Sequence, residues 1–118
     1  PRMQDSVEAA ELKRMNLEGQ IPGCTVEGPI SYDVAINKEA AKVKGFGGDV
    51  AGDADLLVFP ELTSANLTTK AITQTCRIPV GSLILGTKVP VILSSRASSA
   101  ETKYMCITLA AAVNAGAE

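Results

Sequence analysis

The sequence predicts an α/β fold, with helices packed on a layered sheet. Three observations carry this. Short apolar runs alternate with stretches of helical periodicity, in the order helix, strand, helix, strand, helix, strand, strand, helix. The run Asp55–Pro60 is almost continuously apolar, as suits a central strand buried on both faces. Glycine and proline fall mostly at the joints between these segments, where they punctuate the chain.

The bulk numbers agree with a folded domain. The chain has 118 residues, 46% hydrophobic and 20% charged, enough for one compact domain. Aromatic residues make up only 3%, so the core has to be built from Ala, Val, Leu and Ile. The net charge of -2, without a basic cluster, argues against a nucleic-acid partner. The three cysteines, Cys24, Cys76 and Cys106, are widely spaced, and there is no histidine. No metal site is therefore expected, and the thiols suit a reducing, cytoplasmic setting. No signal peptide or membrane-length apolar run is visible, so no membrane partner is expected. The chain opens at Pro1 rather than Met, which fits a cloned or tryptic piece of something longer, or a trimmed start codon.

The elements follow in order. Residues Met3 to Glu18 form an amphipathic helix, with Met3, Val7, Ala10 and Leu17 near one face and Gly19 as its stop. A joint at Ile21-Pro22-Gly23 leads into a short strand, Cys24 to Ile30, that ends in Gly28-Pro29. Gly28 removes a side chain where the backbone has to approach something closely. Asp33 to Lys44 is alanine-rich and reads as one helix capped by Ser31. Gly45-Phe46-Gly47-Gly48-Asp49 lacks the spacing of a phosphate-binding glycine loop and reads as a connecting loop. After the 55–60 strand, a helix capped by Ser64 runs to about Thr75 and carries Asn66 in its first turn. Ile78 to Leu85 and Val89 to Leu93 are two further strands, split by Gly86-Thr87-Lys88. A last helix runs from Ala100 to Val113, with Met105, Leu109, Ala112 and Val113 as its packing stripe.

The chemistry gathers at the end of the last strand. The run Val89 to Leu93 stops at Ser94-Ser95-Arg96, and a helix capped by Ser98 or Ser99 follows. A helix start offers N–H groups and the positive end of its dipole to an anion. A serine hydroxyl donates one hydrogen bond, and a guanidinium forks onto two phosphate oxygens. The plain alternative is a capped helix next to a solvated arginine. Ligands in open α/β sheets collect outside the carboxyl ends of strands, which draws Gly28-Pro29, Asn66 and Ser95-Arg96 into one expectation.

Four stretches together resemble one enzyme family. They are Val26 to Ile30, Asp49 to Pro60, Asn66 with Lys70, and Lys88 to Arg96. The chain is similar to the carboxyl-terminal part of the phosphate acyltransferases, closest to phosphate butyryltransferase and next to phosphate acetyltransferase. The resemblance runs from about Met3 to the end, so residues 1–118 would be the carboxyl-terminal part of such an enzyme, without its amino-terminal domain.

It implies a three-layer α/β/α sandwich like that of isocitrate and isopropylmalate dehydrogenases, present as one domain of two, in a homodimer. It implies exchange of coenzyme A for inorganic phosphate on an acyl group, with acyl phosphate and coenzyme A as substrates and no cofactor. Ser95 and Arg96 would be catalytic, Asn66, Gly28 and Pro29 would bind substrate, and the chain would be inactive alone. Phosphate acetyltransferases place a carboxylate at the position of Thr102, and Glu101 is the carboxylate beside it here, which makes Glu101 the candidate base. Their arginine late in the preceding helix falls near Thr73, and Arg77 is out of register. A regulatory domain of the same fold that binds a phosphate ligand or coenzyme A without catalysis is the second expectation. A dehydrogenase of the related fold is disfavoured, because no acidic metal-ligand cluster stands at a strand end.

Overall fold

The computed structural model describes residues 3–116. Among these, five helices follow one another: α1 (Gln4–Leu17), α2 (Tyr32–Ile36), α3 (Lys38–Val43), α4 (Leu62–Thr75) and α5 (Ala100–Ala115). The chain divides into two compact units, 1–65 and 66–118. No helix among the described residues is long and apolar enough to cross a membrane.

The expected strands are extended segments here, not a sheet. Among the described residues only one β-bridge forms, antiparallel between Ile84 and Val91, where the Ile84 amide donates to the Val91 carbonyl at 2.9 Å. The physical reason is that strand character is non-local. An apolar run becomes a strand only when a second strand takes its N–H and C=O groups. The 55–60 run shows this plainly, since Leu56 and Val58 are 79% and 76% exposed, where a central strand would bury both. Among the described residues the sheet of the expected layered sandwich is therefore not formed.

In the first unit, α1 starts after Met3 and ends before Gly19, whose φ of 78° suits glycine. Its packed side is not the expected one. Val7 and Leu17 face solvent, and the residues that hold its neighbour are polar. Asn16 donates to the carbonyls of Ile21 and Cys24 at 2.8 and 2.9 Å and accepts from the Val26 amide at 3.0 Å. Lys13 pairs with Glu27 at 2.6 Å. These bonds lay the 21–28 segment along α1. Gly28 lies against Ala9, where an added Cβ would meet the Ala9 Cβ at 3.1 Å. The missing side chain at Gly28 thus serves helix packing.

The expected helix from Asp33 to Lys44 breaks at Asn37, which takes an extended conformation. Its side chain accepts from the Glu39 and Ala40 amides at 2.9 and 3.2 Å and so starts α3 as a new helix. Asparagine competes for backbone amides in this way, which is why it caps helices better than it continues them. The small core of this unit is Val34, Ala35 and Ala41. Segment 52–54 covers it, with the Gly52 amide donating to the Val34 carbonyl at 2.8 Å and the Ala54 amide to that of Ala35 at 3.1 Å. Gly52 has φ 75°, and a Cβ there would sit 2.4 Å from the Lys38 nitrogen.

In the second unit, α5 begins and ends close to expectation, but its stripe is different. Cys106 and Ala110 are its buried residues, while Leu109 and Val113 are partly open. Segment 81–82 passes beside α5: a Cβ added at Gly81 would be in ordinary contact with the Met105 carbonyl and the Leu109 side chain, and the Ser82 amide reaches Cys106 Sγ at 3.2 Å. Close approach of backbone to helix selects small residues at the contact, so Cys106 and Ala110 are buried rather than the larger neighbours.

Two outcomes follow from the first unit. Gly52→Ala is expected to destabilise it by at least ~2 kcal/mol, because the left-handed backbone and the collision with Lys38 add together. Urea unfolding reads this, and an unchanged midpoint would show that the 52–54 cover does not hold the core. Asp33 is held down to about 2 by its hydrogen bond from Lys44, aided by Ser31. Its folded value lies below the unfolded one, so its stabilising contribution is complete above about pH 4 and is lost as pH falls toward 2. NMR titration of the Asp33 carboxyl is expected to give that low midpoint, and Lys44→Ala to return it toward 3.8.

Candidate functional site

The second unit carries the Ser95–Arg96 turn that the sequence marks as a candidate anion site. Segment 89–95 arrives extended, with Leu93 exposed and Ser94 half-buried. The Ser98 amide donates to the Ser95 carbonyl at 3.0 Å, closing a tight turn over Arg96 and Ala97. The Ala97 amide makes a longer bond to Ser95 Oγ at 3.4 Å. Ser95 and Arg96 are both exposed. Among the described residues no carboxylate pairs with the Arg96 guanidinium.

Ser99, not Ser98, caps α5. Its Oγ accepts from the Thr102 amide at 3.1 Å and donates to Thr102 Oγ1 at 3.2 Å. Thr102 is thus part of the cap. Glu101 lies exposed in the first turn of α5, where its charge complements the helix dipole.

The start of α4 is built differently from the sequence expectation. Glu61, not Ser64, serves the first amides, accepting from Thr63 and Ser64 at 2.6 Å each. These backbone bonds, the Ser64 one foremost, hold the Glu61 carboxyl below its usual range. Ser64 Oγ donates back to the Glu61 carbonyl at 3.0 Å. The expected cap at Ser64 is therefore one helical turn late. Asn66 is exposed in α4, one turn ahead of Lys70 on the same face.

Gly28 and Pro29 belong to the first unit. Gly28 is buried against Ala9, and Pro29 lines a hollow of about 710 Å³ along α1 with Val7, Ala10 and Arg14. A second hollow, about 170 Å³, lies between the 83–90 turn and the end of α5. Neither is lined by Asn66, Ser95, Arg96 or Glu101, and Ser95 and Arg96 are themselves exposed.

The structure adds a group that sequence reasoning missed. Ser82 donates its amide to Cys106 Sγ at 3.2 Å and its hydroxyl to the Leu93 carbonyl at 3.0 Å. The signal in the sequence was a lone hydroxyl inside the apolar run 78–85.

Comparison with known proteins decides the family. The family model described as Phosphate acetyl/butaryl transferase matches residues 1–111. The chain belongs to this family. A phosphate acetyltransferase of Thermotoga maritima is 48% identical over 111 residues, 94% of this chain and 38% of the relative. A phosphate butyryltransferase of Clostridium beijerinckii is 49% identical over 113 residues, 96% of this chain and 37% of the relative. These two relatives, one named for acetyl and one for butyryl transfer, match at nearly the same identity. The crystal structure of a branched-chain phosphotransacylase from Enterococcus faecalis superposes with a TM-score of 0.80 at 38% identity, over 92% of this chain and 39% of that one. This match is consistent with an α/β fold. The chain spans somewhat over a third of the length of the family members it matches.

The cap gives one direct test. Ser99→Ala is expected to cost about 1 kcal/mol, the usual worth of a helix N-cap. Denaturant unfolding measures it, and an unshifted midpoint would mean that Ser99 does not secure the start of α5.

Proposed function

We propose that this chain supplies one side of the active site of a phosphate acyltransferase, which passes an acyl group between coenzyme A and inorganic phosphate. The observation that carries the proposal is the exposed Ser95–Arg96 turn directly before the capped start of α5, in a member of this family. The names of the relatives support the same reading, since they are acetyl- and butyryltransferases that act with phosphate.

The reaction sets the demands. A thiol sulfur attacks the acyl carbonyl carbon, the carbonyl oxygen takes up negative charge, and the bond to the phosphate oxygen then breaks. A base takes the thiol proton and passes it to the departing phosphate oxygen, so that phosphate leaves as the dianion. A free thiol titrates near ~8.5, so only a small fraction is thiolate at neutral pH, and a positioned base is worth roughly 10²–10⁴-fold. A single donor at the developing oxyanion is worth about 3–4 kcal/mol. Ser95 is suited to that donor role or to holding the thiol. Arg96 is suited to the phosphate, because its fork matches two phosphate oxygens and no carboxylate among the described residues competes for it.

Asn66 would add an amide contact to substrate, and Gly28 and Pro29 are the further residues proposed to bind it. Glu101 is the candidate base, as the carboxylate nearest the pair in sequence. The exposed Arg96, Leu56, Val58 and Leu93 support a site completed by further polypeptide, in a three-layer sandwich and a homodimer. The cytoplasm, with its acyl-CoA pool, is the compartment proposed. A regulatory domain that binds a phosphate ligand or coenzyme A is the second reading. Thr102 favours it, because a capping threonine replaces the carboxylate that the acetyltransferases use.

Butyryl-CoA formation from butyryl phosphate and coenzyme A, measured on the protein that carries this chain, separates the two. Turnover supports the enzyme, while binding without turnover supports the regulatory domain. Arg96→Ala is expected to lower kcat/KM for the acyl phosphate by about 10²-fold, the loss of a charge-assisted forked contact. Unchanged kinetics would remove Arg96 from the site.

A further inference from the structure

We infer that Ser82 is a positioning residue for the Ser95–Arg96 turn, coupling it to the buried Cys106 of α5. Cys106 is completely buried, yet its sulfur is not idle. It accepts from the Ser82 amide at 3.2 Å and lies 3.5 Å from Ser82 Oγ. The Ser82 hydroxyl has one proton, and the Leu93 carbonyl takes it at 3.0 Å. Its oxygen then remains free to accept the thiol proton of Cys106. Ser82 and Cys106 therefore exchange two hydrogen bonds, and the same hydroxyl grips the chain at Leu93, two residues before Ser95.

Nothing else described here holds that stretch as firmly. The bridge between Ile84 and Val91 is a single backbone bond, and Leu93 itself is exposed. The 81–82 backbone runs beside α5, where a Cβ at Gly81 would be in ordinary contact with Met105 and Leu109. The helix whose start is capped by Ser99 thus also fixes, through Cys106 and Ser82, where the preceding extended segment ends. A hydroxyl and a guanidinium placed by the start and the middle of one helix keep their spacing, and misplacement of about 1 Å is enough to cost 10²-fold in a reaction that needs aligned groups. This inference rests on reading Ser95 and Arg96 as part of the acyl-phosphate site.

The test has one arm that needs no activity. NMR on the 118-residue chain reads the Leu93 carbonyl carbon shift and the nitrogen relaxation of Ser94, Ser95 and Arg96. Ser82→Ala is expected to move the Leu93 carbon shift and raise the mobility of the three residues, and Ser82→Thr, which keeps the hydroxyl, to restore both. Cys106→Ala should loosen the same residues and Cys106→Ser should not, which keeps the test alive if Ser82→Ala fails to fold. The second arm is kinetic. In the protein that carries this chain, Ser82→Ala is expected to lower kcat roughly tenfold, the factor of one hydrogen bond, with KM for coenzyme A unchanged. Leu93 and the turn behaving as in the unmodified chain after Ser82→Ala would overturn the inference. Absence of acyl transfer in the unmodified protein would instead overturn the enzymatic reading, with the NMR arm still deciding whether Ser82 holds the turn.

Discussion

An extended backbone has to place its N–H and C=O groups on partners, and in this chain side chains and helix ends perform that task where a ladder of strands would. Asn16 serves three backbone groups of the 21–26 segment by itself. The carbonyls of Val34 and Ala35, at the core of the first unit, accept from the segment that covers them. Ser82 takes the Leu93 carbonyl and gives its own amide to a buried sulfur. Each of these bonds is worth about 1 kcal/mol net, but leaving a buried backbone group without a partner costs more. That asymmetry explains why polar residues, rather than the exposed Val7, Leu17 or Leu93, hold the connecting segments in place.

The same constraint shapes the candidate site. A turn that presents Ser95 and Arg96 to solvent has little apolar burial of its own to keep it in place. Its order comes from both ends: the Ser98 amide closes it on one side, and the Leu93 contact with Ser82 anchors the other. The capped start of α5 then follows within a few residues. Phosphate chemistry suits such a construction, because a guanidinium on a fixed backbone loses less freedom on binding than one on a loose loop. The membership of the chain in the phosphate acetyl and butyryl transferase family gives that chemistry its context.

Exposed apolar residues and close-packed small ones tell complementary stories. Leu56, Val58, Leu62 and Leu85 face outward, while the buried positions are occupied by Val34, Ala35, Ala41, Cys106 and Ala110. A core made of such small residues arises where backbone meets helix closely. Gly28 against Ala9 and Gly81 against α5 are two instances. The large apolar side chains are left for surfaces that these residues do not themselves cover.

Sequence by itself determined most of the helices and the family. Periodicity and capping residues are local, so α1, α4 and α5 and the Ser95–Arg96 turn before α5 were legible, as was the family from the motifs at Val26–Ile30 and Lys88–Arg96. The break at Asn37 and the cap at Glu61 were also local, but each required choosing between a side chain that continues a helix and one that takes its amides. Only the tertiary structure decided the rest. Whether an apolar run is a strand depends on a partner far away in the chain, which is why the 55–60 run reads as a central strand and stands here without a ladder. Which face of α5 is buried depends on how closely Gly81 and Ser82 approach it, and no spacing rule contains that distance. The part played by Ser82 was hidden for the same reason, since its two partners lie 11 and 24 residues away and meet it only through folding.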